Sequence, residues 1–410
     1  MKKAPKFFLL AGELSGDYHA SHLVNEIRKV RPDAEFVGFG SHHMQTAGVR
    51  ILADTAGWGG IGIFDNLRIL RTTAAGFRLF QKALLEEKPD VFVPVDYRFF
   101  NLRAAKFARA HGIPSVYYFA PVSWDLGKNR PLVISGVRRL LGGPTADETG
   151  SQTGEMPRRY RQVAEAVDFA LVTFSFATPY YEQTGMKFEY IGHPLTEILQ
   201  EQQKMPLPKE LEEGNIMALL PGSRSMEIRR HLPVLLAAAR ELRVSRPQFR
   251  YTLSLAAPHL RPIFDALMTA EDRAAFPVYE GDAADLLRSS TLALVCSGTA
   301  VHQGMVLGTP MIAFYKVNPI LAEISRYFIF NLPYYAFPNV VAGRGVIPEL
   351  IQEHFTAANL SRWARELLAN EALRSEVRED LHSLTAQEHV PGGLHRAAEI
   401  ICSYLPTDDG

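Results

Sequence analysis

Cysteine is nearly absent: Cys296 and Cys402 are the only two in 410 residues. Two are too few for a CxxC pair or a disulfide framework, which fits a reducing compartment. Net charge is absent as well, since 44 basic side chains stand against 44 acidic ones. This balance argues against a general electrostatic grip on nucleic acid and leaves only local basic patches to consider. No apolar run is long enough to span a bilayer, because the greasiest stretch, 311–337, is interrupted by Lys316, Glu323 and Arg326. The N-terminus opens with Lys2, Lys3 and Lys6 like a secretion signal, but its apolar run ends at Gly12 and is followed by Glu13 and Asp17. The expectation is a soluble cytoplasmic protein, or one lying peripherally on a membrane face. The patterns G-x-x-x-x-G-K-[ST], H-E-x-x-H and G-x-S-x-G are also missing, which disfavours a P-loop NTPase, a zincin and an α/β-hydrolase. What is present is an ordinary globular balance of 47% apolar and 21% charged residues. The length suits two domains of about 200 residues each.

Short β-rich runs alternate with helical ones in the first half. Strands are expected at 7–12, 35–40, 90–96, 114–120, 169–175 and 188–192, with helices at 16–31 and 100–111. Continuous apolar strands separated by helices imply a parallel sheet covered on both faces. The polar, proline-containing stretch 197–214 reads as a linker. Beyond it the alternation restarts, with strands at 216–220, 251–255, 292–296 and 311–315 and a helix at 226–244. The fold class is therefore α/β, with two Rossmann-like doubly wound domains facing a cleft. The expected domains are 1–200, 201–385, and a C-terminal helical segment 386–410 that packs back on the first.

In parallel sheets the chemistry gathers where strands end and helices begin. Three such junctions stand out. The first, Ala11-Gly-Glu-Leu-Ser-Gly-Asp17, is a turn bearing Gly12, Glu13, Ser15, Gly16 and Asp17. Its glycines permit close backbone approach, while Glu13 and Asp17 would repel a phosphate and suit hydroxyls or base chemistry. Ser15 or Asp17 as a simple helix cap is the competing reading. The second, Leu219-Leu-Pro-Gly-Ser-Arg-Ser-Met-Glu227, brings Gly222, Ser223 and Arg224 to a helix N-terminus, an anion site suited to a diphosphate. Here a Ser225 cap and a surface Arg224 are the bland alternative. The third, Cys296-Ser-Gly-Thr-Ala300, presents Ser297, Gly298 and Thr299 for close approach to phosphate or ribose. Asp96 ends a strand in the expected cleft and suits a general base, or else a helix cap. His193 sits at another strand end and is a further candidate, with a structural role as the competing reading.

Two segments suggest an amphipathic surface. Trp58, Ile61, Ile63 and Phe64 occupy a glycine-rich stretch, and the helix after it mixes Leu67, Leu70, Ala74, Phe77, Phe80 and Leu84 with Arg68, Arg71, Arg78 and Lys82. Such a surface suits a membrane or an acyl chain, although a core helix with a solvated face explains the helix equally. A cationic run from Lys128 to Arg161 encloses the polar, glycine-rich loop 142–154 and suits an anionic lipid or a phosphorylated acceptor, or simply solvent.

Taken together, these loops resemble the lipid-A-disaccharide synthase family, inverting glycosyltransferases with two Rossmann-like domains of the GT-B type. Residues 11–17 are similar to its A-G-E-x-S-G-D, residues 219–227 to its L-L-P-G-S-R-x-x-E, and Ser297-Gly-Thr-Ala300 with Leu307-Gly-Thr-Pro310 to its S-G-T-A and L-x-T-P region. Gly192-His-Pro-Leu195 and Pro338-Asn-Val-Val-Ala-Gly-Arg344 are similar to further signatures, and Gly60-Ile-Gly-Ile63 falls where the family has an apolar, membrane-facing segment. The resemblance implies a UDP-linked acylated sugar donor, an acylated sugar phosphate acceptor, work at the inner membrane surface, and no metal or other cofactor. Oligomeric state stays open. The resemblance further implies Asp96 as base, with Gly222, Ser223, Arg224, Glu227, Ser297, Gly298, Thr299, Gln303, Asn339 and Arg344 on the donor side. Where the family reads D-x-P-D-F-N, this chain has Asp96-Tyr-Arg-Phe-Phe-Asn101, so Phe99 replaces the second aspartate. Of S-P-x-V-W-A-W only Pro121 and Trp124 are kept, and Gln303 stands where the family has a glutamate that binds ribose hydroxyls. These departures keep three alternatives in view: a diverged paralogue with another acceptor, a non-catalytic nucleotide or lipid binder, and a UDP-sugar epimerase.

Overall fold

The computed structural model describes residues 4–55, 58, 66–122, 157–212, 215–317 and 334–406. It divides into two compact units, Met1–Glu197 with Val390–Gly410, and Ile198–His389.

Among the described residues the first unit is built on seven parallel strands: β1 (Lys6–Ala11), β2 (Glu35–Gly40), β3 (Arg50–Asp54), β4 (Val91–Val95), β5 (Val116–Tyr118), β6 (Phe169–Val172) and β7 (Phe188–Tyr190). Their order is β3-β2-β1-β4-β5-β6-β7. The chain leaves β1 in one direction and returns to β4 on its other side, so the topological switch point lies between β1 and β4. The central strands are apolar on both faces because helices cover both, and Phe7–Leu10 and Val91–Val93 are fully buried. One layer of the core is aromatic. Phe8 lies with ring centroids 5.7 Å from Phe39, 5.6 Å from Phe80 and 6.1 Å from Phe92. The last helix, Gly393–Cys402, belongs to this unit and packs on the helix Leu14–Val30. It is fastened by Arg396, whose Nε and Nη2 donate to the two oxygens of Glu189 at 2.8 and 3.1 Å.

The second unit has six parallel strands, again counted among the described residues: β8 (Asn215–Leu220), β9 (Phe249–Ser254), β10 (Val278–Tyr279), β11 (Ser290–Cys296), β12 (Met311–Tyr315) and β13 (Glu349–Ile351). The order β10-β9-β8-β11-β12-β13 places its switch point between β8 and β11. Its long helix, Ser225–Ser245, buries Leu232, Leu235, Leu236 and Leu242 against the sheet, the 3.6-residue spacing the sequence carries.

The expected linker turns out differently. A helix, Leu195–Gln203, runs through its first half, because Leu195 and Leu199 are buried one turn apart and no breaker intervenes before Pro206. The strands β3, β10 and β13 were not expected. They are short and lie at or next to the sheet edges, where mixed polarity hides the strand pattern.

Candidate active site

The first switch point gathers the acidic residues. The turn after β1 carries Gly12 and Glu13, and Asp96 follows β4 directly. Asp96 and Tyr97 both adopt left-handed backbone, with φ of 49° and 44°. Aspartate accepts that conformation readily and tyrosine does not, so the turn is held by its surroundings. The Asp96 N–H donates to the Tyr118 carbonyl at 3.1 Å, and its own carbonyl accepts from Asn101 Nδ2 at 2.7 Å and from the Tyr117 hydroxyl at 2.5 Å. Asn101 is fully buried and also donates to the Val95 carbonyl at 3.0 Å. The effect is to fix the backbone while leaving the Asp96 side chain on the exposed face. Gly12 is required beneath it, since an added Cβ would collide with the Tyr97 ring. Burial, and then the nearby Glu13 charge, raise the Tyr97 phenol pKa, which sets Glu13 beside this turn.

Asp17, expected as a catalytic acid or as a cap of its own helix, does neither in this geometry. It is fully buried, and Oδ1 accepts the amides of Ser41 at 2.6 Å and Met44 at 3.3 Å while Oδ2 accepts that of His43 at 2.9 Å. It therefore caps the next helix, His42–Thr46, across the sheet edge. Ser15 is half-buried and Gly16 buried in the first turn of the helix Leu14–Val30. His193 is buried in an aromatic box, with ring centroids 5.4 Å from His19, 4.9 Å from Phe119 and 5.4 Å from Phe174. Its Nδ1 accepts the Leu195 amide at 3.2 Å, so it also starts the helix Leu195–Gln203.

A feature the sequence reading passed over is Arg98. It stands half-buried two residues after Asp96, and burial followed by the like charge of Arg159 lowers its pKa. Two guanidiniums in mutual repulsion beside a strand end suit an anionic ligand. The signal available in the sequence was Arg98 standing where the family has proline. Trp58 faces inward: its ring lies 6.0 Å from Phe39 and 5.2 Å from Phe100, so it serves the core as well as any surface. Ile61, Ile63, Phe64, Trp124 and the loop 142–154 lie outside the described residues.

Both loops at the second switch point are those expected to hold an anion. Gly222 has φ +120°, and a Cβ there would meet Glu227 Oε2 at 2.6 Å. The reason is that Glu227 folds back over the loop. Its Oε2 accepts the Ser223 and Arg224 amides, each at 3.2 Å, and its Oε1 accepts from Arg224 Nη1 at 3.0 Å. The expectation that those amides face a diphosphate is thus corrected, because a protein carboxylate already takes them. Glu227 is an organiser, and it presents Arg224 with a 41% exposed side chain. After β11, Ser297 is half-buried while Gly298 and Thr299 are exposed at the start of the helix Thr299–Val306.

Three donor-side expectations fare otherwise. Gln303 is buried at 8% exposure, which argues against a ribose contact in this conformation. Asn339 is a fastener: Nδ2 donates to the Ile347 carbonyl at 2.8 Å and to Glu349 Oε1 at 2.6 Å, and Oδ1 accepts the amides of Val346 and Ile347 at 2.7 and 2.9 Å. With its amide committed to protein partners, it orders the turn that carries Arg344. Arg344 is exposed and paired with Asp380 at 2.6 Å. Asn339→Ala is expected to cost about 2–4 kcal/mol, lowering the thermal midpoint by roughly 5–15 °C in a calorimetric scan. An unchanged midpoint would contradict the fastener role.

His302, adjacent to Gln303, is buried against Phe337 at a ring distance of 4.3 Å, and loss of hydration depresses its pKa to about 3. Between pH 6.5 and 3 the unfolded chain binds this proton and the folded chain does not. Stability therefore decreases as the pH is lowered through that window, by at most about 1.4 kcal/mol per unit. Denaturant titrations of wild type and His302→Leu should diverge below pH 6.5, the variant showing the shallower decline.

A family model described as Lipid-A-disaccharide synthetase matches residues 7–142 and 156–401. The chain is 32% identical over 410 residues to a lipid-A-disaccharide synthase of Solibacter usitatus, covering 98% of each chain. It is 31% identical over 408 residues to one of Syntrophus aciditrophicus, again covering 98% of each. Among solved structures, it is similar in fold to the UDP-GlcNAc 2-epimerase of Neisseria meningitidis bound to UDP-GlcNAc (TM-score 0.61, 13% identity, 97% and 98% coverage). It is likewise similar to the calicheamicin glycosyltransferase CalG4 (TM-score 0.58, 16% identity, 98% of each chain). The chain belongs to the lipid-A-disaccharide synthase family, glycosyltransferases of lipid A biosynthesis.

Proposed function

We propose that this chain transfers a diacylated glucosamine from UDP to a hydroxyl of a diacylglucosamine 1-phosphate, with inversion at the anomeric carbon. The observation that carries the reading is the content of the two switch points: a half-buried Glu13 after β1 and an exposed Asp96 after β4 in one unit, a buttressed arginine and a hydroxyl-bearing turn at β8 and β11 in the other. An inverting transfer needs this division of labour. Asp96 removes the proton from the attacking hydroxyl, and Arg224 with Ser297 and Thr299 stabilises the charge on the departing diphosphate. Arg98 and Arg159 are assigned to the acceptor phosphate, since a bound anion would offset the burial that chiefly lowers the Arg98 pKa and, after it, the like charge of Arg159.

Acylated substrates reside in a bilayer, so the enzyme works at the cytoplasmic membrane face. No helix among the described residues is long and apolar enough to cross one. Leu79 and Leu85, each 45% exposed on the helix Asn66–Glu87 that also carries exposed Arg78 and Lys82, support surface contact. The test is incubation of pure protein with the UDP-linked donor, with and without acceptor, followed by mass analysis. A disaccharide phosphate formed only with acceptor supports the reading. Donor consumption without acceptor would instead indicate an epimerase, and binding without turnover a non-catalytic binder.

A further inference from the structure

The turn after β2 reads Ser41-His42-His43-Met44 and enters the short helix His42–Thr46. Here the two histidine rings lie side by side, centroids 3.9 Å apart and planes inclined by 39°. Beneath them comes Asp17 from the helix Leu14–Val30, whose Oδ1 is taken by two backbone amides while Oδ2 accepts one, from His43. A carboxylate oxygen offers two lone pairs, so Oδ2 keeps capacity for a further partner. One nitrogen of each histidine and one oxygen of Asp17 all fall within 4.8 Å of one another.

We propose that Asp17, His42 and His43 form a binding site for a divalent transition-metal ion of the zinc class. The ligand chemistry selects the ion: two imidazoles and one carboxylate suit zinc, cobalt or nickel, whereas magnesium and calcium prefer all-oxygen shells. A tetrahedral ion with ligands at about 2.0–2.1 Å spaces its donors by about 3.3 Å, so binding draws together donors that now lie within 4.8 Å of one another. The outer shell is in place. The amides of Ser41, His43 and Met44 orient the carboxylate, and the Tyr18 ring meets His43 edge-on at 5.4 Å, limiting its swing. Access is provided as well, for His42 is exposed, His43 half-buried and Asp17 buried, a gradient from solvent to anchoring charge. Three protein ligands leave a coordination position open to water or a small anion. Bound metal would tie the His42–Thr46 turn to the helix that begins at the Glu13 loop. The inference is independent of the glycosyl-transfer reading.

The test uses full-length protein without a histidine tag, stripped with chelator, dialysed and titrated with zinc chloride by calorimetry. One equivalent is expected to bind wild type. His42→Ala and His43→Ala should each weaken binding by at least about tenfold, the effect that losing even an outer partner produces, and the double variant should abolish it. Cobalt added in place of zinc should give the intense visible absorption of a tetrahedral site in wild type alone. Zinc should raise the thermal midpoint of wild type and leave the double variant unmoved. His111→Ala, an exposed histidine elsewhere, should behave as wild type. Because the His42 side chain is exposed, its replacement preserves the fold, which circular dichroism verifies. Equal zinc affinity in wild type and the double variant, or no zinc binding by wild type, would overturn the proposal.

Discussion

Asp96→Asn is expected to lower kcat by about 10²–10⁴-fold while leaving affinity for UDP unchanged. The substitution is nearly isosteric, and asparagine tolerates the left-handed φ of 49° as well as aspartate does. The backbone bonds that fix this position, from Asn101, Tyr117 and to Tyr118, involve main-chain atoms of residue 96 only. Folding is expected to be preserved, and what is lost, on the proposed mechanism, is the acceptor of the hydroxyl proton. In the proposed function UDP is held by the loops after β8 and β11, which the change does not touch. The comparison variant is Glu13→Gln, since Glu13 stands beside the same turn. Should Asp96→Asn retain turnover within a few-fold of wild type while Glu13→Gln loses it, the base is Glu13. Asn101→Ala offers a second check on geometry: it should reduce kcat without a matching change in KM, because it releases the Asp96 backbone and removes no group that touches substrate.

The second large effect concerns the donor. Arg224→Ala is expected to weaken UDP binding by about 10–100-fold, the worth of one charge-assisted contact of about 1.5–3 kcal/mol to a diphosphate. The loop itself should survive, because Glu227 still accepts the Ser223 and Arg224 amides after the guanidinium is gone. Arg224→Lys should recover only part of the affinity, since a point charge cannot reproduce the planar fork. Calorimetric titration with UDP, with ADP as control, reads these changes directly. Unaltered UDP affinity in Arg224→Ala would remove arginine from the donor site and leave the Ser297–Thr299 turn as the anion holder. Glu227→Gln should weaken UDP binding too, by disordering Arg224 and the two amides that Glu227 holds.

Much of this molecule is determined locally. The alternation of apolar runs and helical periods yields two parallel sheets, because a strand buried on both faces must be apolar throughout, and that pattern is visible in any short window. The motif loops fall at strand ends for the same reason, so the Gly12–Asp17 turn, Pro221–Arg224 and Ser297–Thr299 are legible in the sequence. Which of their side chains are available to a ligand was decided by tertiary structure alone. Asp17 is spent on the amides of a turn 24 residues later. Glu227 closes over its own loop, and Asn339 commits its amide to residues 346–349. In sequence these three are indistinguishable from Glu13, Asp96 and Arg224, which stay at the surface. The difference lies in hydrogen-bond partners: a buried polar group must find them wherever the fold brings a backbone within about 3 Å. That proximity, like the convergence of Asp17 with His42 and His43, is a property of the packed sheet, which joins β1 to β2 side by side and brings together residues the linear order keeps apart.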